Sequence, residues 1–153
     1  AQVYVDEGVD EIDMVVNYSF IRSARWDLVE EDIRAVSEVT RKQSILLKVI
    51  LETSELTIEQ IKQATECAVA ARADYVKTST GFAGGGATVE AVQAMLEAAD
   101  GRIEVKASGG IRDFSQAQTY IDLGATRLGV GYPAVAAICA GVPASEGAQG
   151  SDY

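Results

Sequence analysis

Short runs of β-type residues alternate with helical patterns along the chain. The runs cover residues 12–17, 45–51, 75–79, 103–107 and about 125–130. Their first residues lie 22 to 33 positions apart, which is the spacing of successive βα units. The pattern therefore predicts a parallel sheet with helices packed against it.

The segments between these runs carry helix signals. Residues 27–42 repeat apolar side chains at helical spacing, with acidic residues early and basic residues late, as the helix dipole favours. Thr57 and Asp113 each begin a capping box, and Thr88 is a further candidate N-cap. Gly124 is typical of a left-handed helix end. We expect a helix after each of these caps.

Such alternation indicates an α/β fold, either a doubly wound sheet or a (β/α)8 barrel. Five units cannot close an eight-stranded barrel, which typically needs about 250 residues. A barrel interpretation makes this chain about five βα units of a partial or truncated barrel, with further units expected upstream of Ala1. We predict a partial barrel domain at residues 1–143 and a flexible C-terminal tail at 144–153, where the residues are small and polar.

Composition narrows the range of functions. The 153 residues include 23 Asp and Glu against 13 Lys and Arg, for a net charge of −10, and no basic run interrupts the chain. Nucleic acid is therefore not an expected partner. No apolar run approaches the roughly 20 residues that cross a bilayer, and the chain opens on no signal peptide. We expect no membrane association and a cytoplasmic location.

The residue types available for catalysis are limited. Histidine is absent, which removes the commonest general base and the commonest metal ligand. Cys67 and Cys139 stand alone among alanines and are interpreted as packing thiols. Any catalysis must therefore use lysine, carboxylate or tyrosine, and we predict no metal site.

Four of the five β-type runs carry a charge in the middle. These charges are Asp13, Lys48, Lys77 and Lys106. A strand covered on both faces should be almost continuously apolar, and one such lysine alone would indicate a solvent-facing or edge position. Four charges at equivalent depths in successive units indicate side chains that converge on one interior, because alternate residues of a strand point to the same face.

Clustered amines have a specific chemical meaning. A second cation and loss of hydration both disfavour an ammonium ion, so a lysine in such a cluster can be neutral near pH 7. A neutral amine attacks a carbonyl and forms a Schiff base, whose iminium acidifies the adjacent carbon as aldol chemistry requires. Asp13 could move the protons, directly or through a water molecule.

Glycine-rich loops follow the later strands. They cover residues 81–88, 108–110 and 129–131. Parallel sheets bind ligands at the carboxyl ends of their strands, and glycine lets backbone N–H groups approach an anion. Each loop alone could be only a tight turn. Together they predict a phosphate site, with the candidate residues Gly81, Gly109, Gly110, Gly129 and Gly131.

Five motifs, in order along the chain, resemble the 2-deoxyribose-5-phosphate aldolase family. They are DEIDMVVN (10–17), LLKVILET (46–53), KTSTGFAGGGAT (77–88), VKASGGIR (105–112) and GATRLG (124–129). This family consists of class I aldolases on a TIM barrel. The resemblance implies reversible cleavage of 2-deoxy-D-ribose 5-phosphate to acetaldehyde and D-glyceraldehyde 3-phosphate, in deoxyribonucleotide catabolism, without a metal or organic cofactor.

The resemblance also implies roles for the charged residues. Lys77 is similar to the Schiff-base lysine, and Lys106 to the neighbouring amine that favours its neutral form. Asp13 matches the proton-relay carboxylate, and Lys48 a lysine that lines the same pocket. Backbone groups of Gly81, Gly109 and Gly110 match those that hold the phosphate, with Thr80 beside them.

The chain departs from the family pattern at three places. Residues 129–132 read Gly-Val-Gly-Tyr where the family usually has hydroxyl residues, and we expect Tyr132 to crowd the phosphate site. Glu104 replaces a common glycine, and we expect it to pair with Lys106 and raise the pKa of that amine. Tyr153 ends the chain, either as a tail residue that assists proton transfer or as part of a functionless terminus.

Two alternatives to this function remain open. One is an aldolase with altered substrate preference at the phosphate end. The other is a degenerate barrel without catalysis that acts as an assembly or binding module. Because a partial barrel exposes open sheet edges, we also predict a homo-oligomer, most simply a dimer.

Overall fold

The computed structural model describes residues 1–141, which form a five-stranded parallel sheet with helices between the strands. The strands are β1 (Glu11–Val15), β2 (Leu46–Ile50), β3 (Tyr75–Lys77), β4 (Glu104–Ser108) and β5 (Arg127–Gly129). The helices are α1 (Gln2–Asp6), α2 (Tyr18–Arg22), α3 (Trp26–Arg41), α4 (Ile58–Ala70), α5 (Val89–Ala99), α6 (Phe114–Leu123) and α7 (Tyr132–Cys139), with a 3-10 turn at Thr53–Glu55.

The order of the strands distinguishes between the two predicted α/β architectures. They lie side by side in chain order from β1 to β5, with every pairing parallel. A doubly wound sheet reverses its strand order at a switch point, whereas a (β/α)8 barrel adds each strand beside the last. The sequential order is therefore that of a barrel.

The sheet curves so that its two edge strands face each other. Arg127 on β5 donates to the Glu11 carboxylate on β1 over 2.7 Å, although three strands lie between them in the sheet. A flat sheet would hold these edges about 19 Å apart, because neighbouring strands are spaced by about 4.8 Å. The face that carries these two residues is therefore concave. We call it the interior face.

The opposite face of the sheet is apolar and packs against the helices. Leu47, Val49, Val76 and Val105 lie on it and are almost fully inaccessible to solvent. They form one core with apolar side chains of α3 to α6, among them Ile33, Ile61, Met95 and Tyr120. Each strand thus buries one set of alternate residues and directs the other set, which is largely polar, to the interior face.

The predicted helix starts are largely confirmed. Thr57 forms a complete capping box with Gln60, and Thr88 accepts from the N–H of Ala91. Asp113 caps α6, but the box predicted there is wrong, because the Gln116 side chain accepts from the N–H of Arg112 instead.

The helix and strand ends also differ in places from the predictions. Gly124 ends α6 in the left-handed region, at φ +117, as expected. Strand β3 is shorter than predicted, because it ends at Lys77. The hydroxyl of the next residue, Thr78, donates to the carbonyl of Ser108. Helix α2 was not predicted and begins where the Asn17 side chain accepts from the N–H of Ser19. Within residues 1–141, no helix has the length and apolar character of a membrane span.

The two-faced sheet predicts where truncation is costly. Leu47→Ala removes a fully buried side chain and should lower the free energy of unfolding by about 2–5 kcal/mol. Ile121→Ala, on the exposed side of α6, removes a similar volume and should cost less than about 1 kcal/mol. Chemical denaturation of both variants measures the difference. Equal losses would contradict a core on the helix side of the sheet.

Candidate active site

The register of the strands brings the four predicted charges together on the interior face. Asp13 lies opposite Lys48, and Lys77 lies opposite Lys106 on the next strand. Residues two positions away on the same strands share this face, so it also carries Glu11, Tyr75 and Glu104. Arg127 on β5 joins them, because it pairs with Lys106. The prediction that the mid-strand charges converge is confirmed.

Asp13 is the centre of this group because it binds two lysines. Its Oδ1 accepts from the Lys48 Nζ at 2.6 Å and its Oδ2 from the Lys77 Nζ at 2.8 Å. Burial raises the pKa of Asp13, but the two hydrogen bonds outweigh it and hold that pKa below its ordinary value. At neutral pH the carboxylate is therefore ionised and lies within proton-transfer distance of Lys77.

Lys48 is a buried ammonium with two carboxylate partners. Its side chain is only 4% exposed, and its Nζ lies 2.6 Å from both Asp13 and Glu11. Burial lowers the pKa of Lys48, yet the hydrogen bonds that it donates to the two carboxylates raise that pKa overall. Lys48 thus stays charged and fixes the position of Asp13.

Lys106 has the opposite electrostatic setting. Burial, followed by the positive charge of Lys77, lowers its pKa below the ordinary value. It forms no ion pair with any residue from 1 to 141. The expectation that Glu104 pairs with Lys106 and raises its pKa is therefore wrong. Glu104 is exposed at the beginning of β4, and alternation alone did not reveal this difference in depth.

Glu11 is a site residue that the sequence analysis missed. Its Oε2 lies 2.6 Å from the Lys48 Nζ and 2.7 Å from the Arg127 Nη1. Arg127, and then Lys48, lower the pKa of Glu11 to about 2. The guanidinium of Arg127 also stacks on Tyr75, with 4.9 Å from its Cζ to the ring centre. The signal in the sequence was the position of Glu11, two residues before Asp13 and so on the same face.

Glu52 is a second residue that the sequence analysis missed. It follows β2 in the left-handed region, at φ +48, and is 3% exposed. Its carboxylate accepts from both the N–H and the hydroxyl of Thr80, and the Thr80 Oγ1 accepts in turn from the N–H of Phe82 at 3.1 Å. Glu52 therefore holds the loop after β3, and neither donor of Thr80 is left for a phosphate.

The candidate phosphate loops pack tightly against one another. A Cβ on Gly86 would lie 2.5 Å from the carbonyl oxygen of Gly109, so the loops after β3 and β4 touch through backbone alone. Gly81 and Gly110 have φ of +93 and +75, and their N–H groups donate to no atom of the described chain. The N–H of Gly109 is directed to the carbonyl of Gly129 at 3.4 Å. The N–H groups of Gly81 and Gly110 are thus available to bind an anion.

Gly129, which ends β5, and Gly131, which follows it, differ in their surroundings. A Cβ on Gly129 would lie 2.4 Å from the Ser108 Cβ and 3.4 Å from the Lys106 Cε, so the missing side chain makes room for Ser108, with Lys106 in contact beside it. Gly131 precedes α7 with ordinary backbone angles, and among residues 1–141 an added Cβ would contact only Pro133. The Tyr132 side chain is 92% exposed. The expectation that it crowds the phosphate site is therefore wrong for the described chain.

Two further predictions concern the C-terminal tyrosine and a metal site. Tyr153 lies outside the residues that the structure describes. Among residues 1–141, no group of three or more His, Cys, Asp or Glu side chains is arranged to hold a metal ion.

Comparison with known proteins places the chain in a family. Residues 1–131 match the family model described as DeoC/LacD family aldolase. The chain belongs to this family. It is 54% identical over 125 residues to a deoxyribose-phosphate aldolase of an Exiguobacterium species, and 50% identical over 129 residues to one of Deinococcus radiodurans. These matches cover 82% and 84% of this chain.

Solved structures support the same placement and the barrel fold. A putative deoxyribose-phosphate aldolase from Coccidioides immitis superposes with a TM-score of 0.82 at 41% identity, over 89% of this chain and 54% of that one. The tetrameric deoxyribose phosphate aldolase of Aeropyrum pernix gives 0.80 at 27% identity, over 91% and 58%. The prediction of about five units of a (β/α)8 barrel is confirmed. The chain spans 56% and 58% of the two sequence relatives named above.

The hydrogen bonds of Glu52 predict a local effect of its substitution. Glu52→Gln keeps the shape but removes the charge and one of the two oxygens that accept from the Thr80 N–H, so the hydrogen bonds that hold Thr80 become weaker. We expect amide hydrogen exchange at Thr80 and Phe82 to accelerate on the order of tenfold. Glu55→Gln is the matched control, since Glu55 binds Arg22 at the surface, and it should leave both amides unchanged. Unchanged exchange in Glu52→Gln would show that the carboxylate does not hold the loop.

Proposed function

We propose that this chain carries the active site of a class I aldolase that cleaves 2-deoxy-D-ribose 5-phosphate reversibly to acetaldehyde and D-glyceraldehyde 3-phosphate. The observation that supports it most is the amine of Lys77, bonded to the Asp13 carboxylate at 2.8 Å and paired in register with Lys106. Family membership and the names of the sequence relatives point to the same reaction.

In this proposal Lys77 is the nucleophile. Its Nζ passes a proton to Asp13 and attacks the aldehyde carbon of the open-chain sugar, which forms a C–N bond and a carbinolamine. Protonation of the carbinolamine hydroxyl releases water and leaves an iminium. Lys106, whose pKa is lowered by burial and by the charge of Lys77, exchanges protons more readily near neutral pH than an ordinary lysine.

The cleavage step uses the iminium as an electron sink. A base, Asp13 directly or through water, removes the proton of the hydroxyl on the third carbon. The bond between the second and third carbons breaks, glyceraldehyde 3-phosphate leaves, and the electron pair forms an enamine on Lys77. Protonation of the enamine and addition of water then release acetaldehyde and the free amine. No metal or organic cofactor is needed, because the iminium supplies the electron sink.

The phosphate of the substrate is proposed to lie over the glycine loops. Gly81 and Gly110 offer unpaired N–H groups, and their positive φ favours glycine. The interior face carries more basic than acidic side chains, with Lys48, Lys77, Lys106 and Arg127 against Glu11, Asp13 and Glu104. It can therefore attract a phosphosugar although the chain has a net charge of −10. We assign Thr80 to the support of this loop, because both of its donors bind Glu52.

The assembly and location of the protein remain predictions. The solved relative described as tetrameric makes a homo-oligomer a reasonable expectation, and a dimer is the simplest form that covers an exposed edge. A cytoplasmic location is expected from the composition.

The Schiff base gives a direct test of this proposal. Borohydride reduction of the purified protein with acetaldehyde should add an ethyl group at Lys77, located by peptide mass spectrometry. Lys77→Met should abolish the adduct, whereas Lys62→Met, which removes an exposed lysine bound to Glu97, should retain it. If the wild-type protein gives no adduct at Lys77, or if Lys77→Met also cleaves the sugar, the proposed reaction is wrong.

The position of Gly131 tests the phosphate end of the site. Gly131→Ser meets no obstacle, caps α7 slightly better than glycine and adds a hydroxyl donor where related aldolases carry one. We expect KM for deoxyribose 5-phosphate to fall by about twofold to tenfold, as one hydrogen bond allows, with KM for unphosphorylated deoxyribose unchanged. Gly131→Ala adds the carbon without the hydroxyl and should change neither. Equal effects on both sugars would argue against a phosphate at this loop.

A further inference from the structure

An unbroken row of alternating charges crosses the interior face. From β5 to β3 it runs Arg127, Glu11, Lys48, Asp13 and Lys77, with successive N to O distances of 2.7, 2.6, 2.6 and 2.8 Å. The mechanism proposed above uses only Asp13 and Lys77, at one end of this row. At the other end, Glu11 lies two residues before Asp13 on β1, and Arg127 lies opposite Lys106 on β5.

We propose that Glu11, held by Arg127 from the opposite edge of the sheet, is a positioning residue that sets the proton affinity of the Asp13 and Lys77 pair through Lys48. This inference rests on the proposed aldolase function. It assigns Glu11 no contact with the substrate.

The division of one ammonium between two carboxylates is the basis of this role. Lys48 is almost fully buried, so its charge is compensated mainly by Glu11 and Asp13. When Arg127 binds Glu11, it competes with Lys48 for that carboxylate and leaves more of the Lys48 charge for Asp13. Because this region is partly shielded from water, a change at either end should be felt along the row.

The sign of each change follows from the charges on all five strands. The charged and titratable groups of the interior face are Glu11, Asp13, Lys48, Tyr75, Lys77, Glu104, Lys106 and Arg127. Loss of the Glu11 charge makes the interior face more positive, which favours neutral amines. The pH range in which Lys77 reacts should therefore move to lower values. Loss of the Arg127 charge makes the face more negative and should move the range up.

A purely structural role predicts a different result. If Glu11 and Arg127 only joined β1 to β5, removal of either would damage the site in the same way. Both variants would then lose activity or stability together, and neither would move the pH profile in its own direction.

The experiment compares Glu11→Gln, Arg127→Gln and the double variant. For each, the pH dependence of acetaldehyde trapping on Lys77 and of sugar cleavage is measured. We expect the rise of the trapping profile to shift by about half to one pH unit, downwards for Glu11→Gln and upwards for Arg127→Gln. The double variant restores the net charge and should lie between them. Arg127→Lys keeps the charge and should keep the wild-type position of the profile.

Glu104→Gln is the matched control for the loss of a carboxylate on the interior face. Glu104 has the same charge but no ion pair within residues 1–141, so its shift should be clearly smaller. Thermal unfolding of every variant checks that the protein is folded at the assay temperature. Shifts of Glu11→Gln and Arg127→Gln in the same direction, or an equal shift in Glu104→Gln, would overturn the proposal.

A second readout separates this inference from the proposed reaction. NMR titration of the Asp13 carboxyl group needs no substrate and should show the same opposite shifts in Glu11→Gln and Arg127→Gln. If the wild-type protein forms no adduct but the titration shifts in opposite directions, the proposed reaction is wrong and the coupling along the row stands. If the adduct forms but neither the titration nor the profile shifts, only the role of Glu11 is wrong.

Discussion

The interaction on which the site depends is the sharing of Asp13 between two lysines. An ammonium as buried as that of Lys48 is tolerated only with close counter-charges, and Asp13 supplies one while it also binds Lys77. This arrangement requires the register of β1, β2 and β3, because a slip by one residue would turn every charge towards the apolar core. The pairing of the strands and the chemistry of the site are therefore one constraint.

The helix side of the sheet enforces that constraint. The core with α3 to α6 buries the strand residues Leu47, Val49, Val76 and Val105. Because exposure of these side chains to water would be unfavourable, the alternate residues of the strands are held on the interior face. The amines are thus held by rigid strands, while the loops that carry Gly81 and Gly110 are held by Glu52 and by backbone packing. Chemistry and phosphate recognition rest on different parts of the structure.

Local patterns in the sequence predicted much of this structure, and distant pairings escaped them. Strand spacing and mid-strand charges were sufficient for the parallel sheet and for the convergence of Asp13, Lys48, Lys77 and Lys106, because both follow from the period of a strand. The bond of Glu11 to Arg127 joins residues 116 positions apart and depends on sheet curvature, which no local pattern encodes. Glu104 lies on the predicted face of β4, but it is exposed at the beginning of the strand and does not pair with Lys106. The alternation of side chains predicts the face of a residue and not its depth in the site.

The space beside Gly129 affects how substitutions at this position are interpreted in this family. A Cβ at position 129 would overlap Ser108, two residues after Lys106 on β4, so any larger residue must push β4 and β5 apart. A substitution there would strain the strand that carries the amine. A variant defective at position 129 would then be catalogued as a lost ligand contact, although the defect is one of geometry in a neighbouring strand. At this position the volume of the side chain decides whether the site is intact, whereas elsewhere in the site its charge does.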